Sequence, residues 1–84
     1  VKPVKIYTTD YCSYCVQAKK LLTRKNVPFE EIDVTGDDAG RAELIRMSGG
    51  LRTVPQIFIG DFHVGGYDRL SELDRSGKLD ELLA

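Results

Sequence analysis

Two cysteines, Cys12 and Cys15, stand three positions apart, and the 84-residue chain has no others. Ser13 and Tyr14 separate them. Side chains at this spacing share one face of a helix, with Cβ atoms roughly 5–6 Å apart. A disulfide asks for about 3.5–4.5 Å, so a modest local adjustment joins the sulfurs and a reversal separates them. A ring this small contributes little as a crosslink, because loop-closure stabilisation grows with the number of residues enclosed. The pair therefore reads as a redox switch and not as a staple. Metal chemistry is a poor match: a closed zinc site takes four ligands, and the chain offers these two cysteines and a single histidine, His63. No metal is expected.

The elements on either side say how the pair is held. Val4–Thr8 reads as a strand, and the stretch from Tyr14 to about Lys25 reads as a helix that stops near Asn26 and Pro28. A dithiol where a strand hands over to a helix is the redox form of the C-x-x-C motif. Further on, 29–34 partly alternates apolar and polar and predicts a strand. Asp37 or Asp38 can cap a helix running to about Ser48, with Leu44, Ile45 and Met47 as its core-facing stripe and Gly49-Gly50 as its end. Gln56–Ile59 and Phe62–Gly65 flank Gly60-Asp61, which predicts a tight hairpin. Tyr67 and Asp68 open a last helix to Ser76, Gly77 breaks it, and Lys78–Leu83 forms a final helical turn. Leu70, Leu73, Leu79, Leu82 and Leu83 are its apolar side and read as core.

The order βαβαββα predicts an α/β fold. Its mixed four-stranded sheet carries helices on both faces, with the first two strands parallel and the last two an antiparallel hairpin. Residues 1–84 form one domain in this reading, with no linker or repeat. The net charge of −1 gives no basic field to draw nucleic acid. No apolar run approaches the ~20 residues that cross a bilayer. Neither nucleic acid nor membrane is expected as a partner. Two close cysteines do not make a secreted disulfide scaffold, and no signal-peptide pattern opens the chain. The expected location is cytoplasmic. Because Val1 is not methionine, trimming is expected to have removed something, and an organelle stroma or matrix is the alternative if that was a targeting segment.

Three motifs fall in register with one family. Ile6-Tyr7-Thr8 leads into Cys12-Ser13-Tyr14-Cys15, Arg52-Thr53-Val54-Pro55-Gln56-Ile57-Phe58-Ile59 follows, and Val64-Gly65-Gly66-Tyr67-Asp68-Arg69-Leu70 comes last. In these stretches the chain resembles the small dithiol glutaredoxins of the thioredoxin fold, the compact bacterial type above all. The resemblance implies a glutathione-dependent thiol–disulfide oxidoreductase acting on protein disulfides and glutathione mixed disulfides. It implies a cis bond before Pro55, where the residues alone leave cis and trans open. It also implies glutathione as reducing co-substrate with no permanently bound cofactor, disulfide-containing or glutathionylated proteins as partners, and a monomer.

Carried onto this chain, Cys12 is the nucleophile. It sits at the helix start, where unpaired N–H groups and the helix dipole favour an anion, and the thiolate is the attacking species. Cys15, one turn further in, resolves the mixed disulfide. Tyr14, Thr53, Val54, Pro55, Gly66, Tyr67 and Asp68 are the implied glutathione site. Thr53 and Val54 supply backbone pairing, Gly65-Gly66 allows close approach, and Asp68 meets the glutathione ammonium or simply caps its helix. Arg52, Gln56 and Lys19 are candidates for the glycine-end carboxylate.

Two positions depart from the commonest pattern: Ser13 stands where many members have proline, and Thr9 where many have lysine. Serine frees the turn and could hydrogen-bond the thiolate. The missing lysine leaves the helix terminus as the main stabiliser of charge. Relatives with serine at this place also hold a [2Fe–2S] cluster between two subunits, which gives a cluster carrier or sensor as one alternative. A thioredoxin-like reductant served by a flavoprotein reductase is another. His63 reads as a surface residue without a general-base role.

Overall fold

The structure, a computed structural model, describes residues 2–84. Its elements are β1 (Val4–Thr8), α1 (Ser13–Arg24), β2 (Glu30–Asp33), α2 (Asp38–Met47), β3 (Gln56–Ile59), β4 (Phe62–Gly65), α3 (Tyr67–Arg75) and α4 (Lys78–Leu83). One mixed sheet in the order β2-β1-β3-β4 runs through the molecule. β1 and β2 are parallel, with Tyr7 opposite Ile32. β3 lies antiparallel to β1, with Ile6 opposite Ile57, and β4 returns antiparallel to β3. The predicted strand and helix order is the observed one.

Alternation along the central strands sends side chains to two cores. Val4, Ile6, Ile57 and Ile59 meet Ala18, Leu21 and Leu22 of α1 and Leu70, Leu73, Leu79 and Leu83 of α3 and α4. On the opposite face Tyr7 and Phe58 meet Val34 and Leu44, and their rings cross edge to face at 5.8 Å. Each fully buried aliphatic side chain contributes about 1.5–3 kcal/mol. The closing leucines are core, as their spacing predicts, with Leu82 partly buried against the same cluster.

The helix ends follow local chemistry. α1 stops at Lys25, and Asn26 takes the left-handed conformation at φ 59°. There Asn26 N–H bonds Thr23 C=O and Val27 N–H bonds Leu22 C=O, which is the Schellman arrangement. Asp37, rather than Asp38, caps α2 by accepting the Gly40 N–H at 3.0 Å. Lys25 bridges to Asp74 and Asp80 at 2.9 and 3.2 Å, which ties α1 to α3 and α4.

Three expectations need correction. Met47 is 38% exposed and outside the core stripe; its Sδ accepts the Tyr7 hydroxyl at 3.2 Å instead. Phe29 and Val34 lie beyond the ends of β2, although Val34 N–H still bonds Thr8 C=O. His63 is half-buried, stacked on Phe58 at 4.8 Å and paired through Nε2 with Gln56 Oε1 at 2.7 Å. A histidine between alternating strand positions looks like surface decoration, but here the hairpin folds it over an aromatic ring.

These packing differences set an order of stability effects. Leu22→Ala empties a site in the larger core and lowers the unfolding free energy by about 2–5 kcal/mol. Asp37→Ala removes one cap and lowers it by about 1 kcal/mol. Urea unfolding of the two variants checks the ranking.

Candidate active site

The path from β1 to α1 is tied down before it reaches the sulfurs. Thr8 donates its hydroxyl to Glu31 at 2.7 Å, and Lys19 of α1 binds the same carboxylate at 2.9 Å. The Lys19 ammonium, and then the Thr8 hydroxyl, hold the Glu31 carboxyl below the usual carboxylate range. This clasp is therefore fully formed at neutral pH and lets go as pH falls through that lowered value. Asp10 N–H bonds Thr35 Oγ1 at 2.9 Å, joining the loop to the one after β2.

Cys12 then serves as the N-cap of α1. Its backbone is extended, and its Sγ accepts the Cys15 N–H at 3.1 Å. Caps are usually oxygen side chains that accept a first-turn N–H; here sulfur takes that place. The same Sγ lies 3.7 Å from the Val54 carbonyl, to which the thiol donates. Cys15 is different in every respect. It is 0% exposed. Burial, and then the hydrogen bond with Cys12, push its thiol up to about 12. Both cysteines are free thiols.

Val54 arrives beside Cys12 through a cis Val54–Pro55 bond. The Val54 N–H has no backbone partner among the described residues. Next to it lies an open groove of about 470 Å³. Tyr14 of α1, the stretch Thr53, Val54 and Pro55, and Gly66, Tyr67 and Asp68 at the β4–α3 junction line it. All seven residues named from the sequence thus line one groove. Tyr14 is 58% exposed and stacks on Tyr67 at 6.3 Å between ring centroids. The β3–β4 pairing carries a register shift between Ile57 and Phe58, with Gly65 opposite Ile57 and His63 opposite Phe58, one residue before the groove residue Gly66.

Several finer expectations change. The cap of α3 is Gly66, so Asp68 sits in the first turn as an exposed carboxylate and is not the N-cap. Gln56 is 2% exposed, with its amide nitrogen on Thr53 Oγ1 at 3.1 Å and its oxygen on His63. Lys19 is occupied by Glu31. Ser13 is exposed and makes no hydrogen bond to the sulfur. Thr9 is buried, and its hydroxyl has no partner among the described residues, an arrangement that costs about 1–3 kcal/mol. Arg69 and Leu51 also line the groove. They were not singled out beforehand. Arg69's place directly after Asp68 was the available signal, whereas Leu51 reads from sequence as an ordinary loop residue.

A sequence model of the glutaredoxin family matches residues 4–64. The chain belongs to the glutaredoxin family. It is 57% identical over 82 residues to a glutaredoxin of Pseudomonas aeruginosa, spanning 98% of this chain and 96% of that one. It is 51% identical over 80 residues to glutaredoxin 3 of Escherichia coli K12, spanning 95% of each. Among solved structures, a Brucella melitensis glutaredoxin superimposes with a TM-score of 0.84 at 51% identity, over 98% of this chain and 88% of that one. A buckwheat glutaredoxin–glutathione complex superimposes with a TM-score of 0.86 at 35% identity, over 98% and 76%. The fold is thioredoxin-like, of the small bacterial glutaredoxin type, and the family chemistry is thiol–disulfide oxidoreduction.

The unequal sulfurs have a direct chemical readout. Brief treatment of the reduced, folded glutaredoxin with iodoacetamide near pH 7.5 is expected to modify Cys12 alone. Cys15 reacts only after unfolding, or as pH climbs toward its raised value of about 12. Peptide mass spectrometry of the digested protein checks this, and equal labelling of both would contradict it.

Proposed function

We propose that this glutaredoxin reduces protein disulfides and glutathione mixed disulfides at the expense of glutathione, with Cys12 as nucleophile and Cys15 as resolving thiol. One observation carries the reading: a cap-position sulfur at a groove with an unpaired backbone N–H, backed one turn later by a buried thiol.

In the two-thiol route, the Cys12 thiolate attacks one sulfur of a protein disulfide and expels the other as a thiolate. Cys15 loses its proton and attacks Cys12, releasing the reduced protein and closing the Cys12–Cys15 disulfide. A glutathione thiolate then attacks Cys12 and frees Cys15. A second glutathione takes the first as oxidised glutathione and restores the Cys12 thiolate. Two electrons move in each cycle. For a glutathione mixed disulfide, Cys12 alone suffices.

The groove supports glutathione as the reductant. Val54 can pair with an extended ligand as an added strand does. Tyr14 and Tyr67 flank its sulfur end, and Gly66 lets the backbone approach. Disulfide-bearing and glutathionylated proteins reach Cys12 over the same open face, and the unit acts as a monomer in a reducing compartment such as the cytoplasm.

A bridging [2Fe–2S] cluster would draw its four thiolates from two copies of Cys12 and two glutathiones, and nothing in the groove of one chain favours that reading. Service by a flavoprotein reductase, the other alternative, gives the charged end of the groove nothing to do.

Substitution separates the two sulfurs. Cys12→Ser is expected to lose both activities by at least ~10³-fold, the scale on which a covalent nucleophile contributes. Cys15→Ser keeps reduction of glutathione mixed disulfides and loses reduction of protein disulfides. Coupled assays with glutathione and glutathione reductase on both substrate types check this; full activity in Cys12→Ser would refute the assignment.

A further inference from the structure

Met47 is the chain's single methionine. It is the last residue of α2 and stands outside the lining of the groove. Of α2's residues only Leu44 is buried, so the helix rests on the sheet by little apolar surface. The Met47 side chain adds a polar tie, because its Sδ accepts the Tyr7 hydroxyl at 3.2 Å. Met47 is 38% exposed and Tyr7 only 1%. One side of the sulfur therefore meets a buried donor, while the residue stays open to water.

A thioether is a weak acceptor, yet it is the partner this hydroxyl has among the described residues. Burial, and then the nearby Glu43 carboxylate, push the Tyr7 phenol above its ordinary value, so it remains a donor at neutral pH. An enclosed methionine is shielded from oxidants, and one loose on a surface has nothing to select between its two lone pairs. Met47 is neither. The hydroxyl occupies one lone pair and leaves the other for an incoming reagent. A methionine sulfoxide is chiral, with oxygen where one lone pair or the other stood.

We propose that Met47 is an oxidation site for peroxides, separate from the dithiol, at which the Tyr7 hydroxyl decides which sulfoxide epimer forms and then holds its oxygen. The free lone pair of Sδ bonds to one peroxide oxygen as the O–O bond breaks, and the sulfur gives up two electrons. The proton on the transferred oxygen passes to the departing one, which leaves as water or an alcohol. The sulfoxide oxygen is a stronger acceptor than the thioether it replaces. Methionine is unbranched and its bonds turn readily, so rotation about Cγ–Sδ brings that oxygen onto the Tyr7 hydroxyl. The tie between β1 and α2 is kept, whereas the sulfoxide of a core methionine disrupts its packing. The change is reversible, since each epimer has its own reductase. Tyr7 acts here as a positioning residue, and nothing in the step draws on glutathione.

The test uses the folded protein, with Cys12 and Cys15 closed as a disulfide, treated with hydrogen peroxide. The same protein in urea is the reference. Trypsin releases residues 47–52, which hold the sulfur and neither cysteine. The sulfoxide peptide is divided and given one or the other of the two stereospecific methionine sulfoxide reductases. One reductase is expected to repair about five times as much of the folded-state product as the other, on the scale of a single net hydrogen bond. Product made in urea is expected to divide equally. Tyr7→Phe is expected to bring the folded-state ratio to one while Met47 still oxidises. The unaltered protein is expected to have a Tm no lower after oxidation than before.

Equal epimers from the folded, unaltered protein overturn the inference, and so does an excess that persists in Tyr7→Phe. If peptide 47–52 gains oxygen in urea but not in the folded protein, Met47 is not a peroxide site. A fall in Tm on oxidation shows that the sulfoxide loses the Tyr7 hydroxyl. Should Tyr7→Phe not fold, the epimer ratio and Tm of the unaltered protein still carry or sink the proposal.

Discussion

The start of α1 is fixed by a sulfur, and the rest of the site depends on that. An N-cap must accept a first-turn N–H, and at this place Cys12 Sγ accepts the Cys15 N–H at 3.1 Å. A thiolate accepts such a bond better than a thiol does. The contact therefore ties order at the helix start to the one sulfur that stands at the groove. The loop restraints from Thr8, Glu31, Lys19 and Asp10 matter because they hold the cap residue in register with the end of a central strand.

The same helix makes the two thiols unequal. One turn beyond the cap, the chain has already passed under the surface, so Cys15 is enclosed by the protein and kept protonated. A buried thiol is inert toward external disulfides. In the proposed cycle it becomes effective once a disulfide has formed on the adjacent Cys12, because an attack within one molecule replaces an encounter in solution. Capture and release would then be separated by depth and not by residue type.

How much of this could be read from the sequence follows from the range of each interaction. Strand and helix order, the hairpin at Gly60-Asp61 and the leucine core were legible, because periodicity and turn chemistry act over a few residues. The seven groove residues were legible through family motifs, which encode a tertiary arrangement that spacing alone does not. The partners of polar side chains were not legible. Gln56 turns inward to Thr53 and His63, and Lys19 turns to Glu31, because the hairpin and the β1–β2 pairing bring those groups together across the fold. Met47 left its predicted stripe because the Tyr7 hydroxyl reaches its sulfur from another element. Asp68 lost the cap position by two residues, a distance within which pattern reading cannot place a helix start.

Backbone pairing and charge have different tasks in the groove. An extended ligand can hydrogen-bond to the Val54 backbone in either chain direction, and main-chain pairing carries little information about which end is which. Exposed charges add little affinity, since water and salt screen them. Charges of opposite sign, such as Asp68 and Arg69, can still bias direction. In the proposed function direction matters because the ligand's sulfur has to reach Cys12, whose Sγ lies 3.7 Å from the carbonyl of the same Val54 that would pair with the ligand backbone.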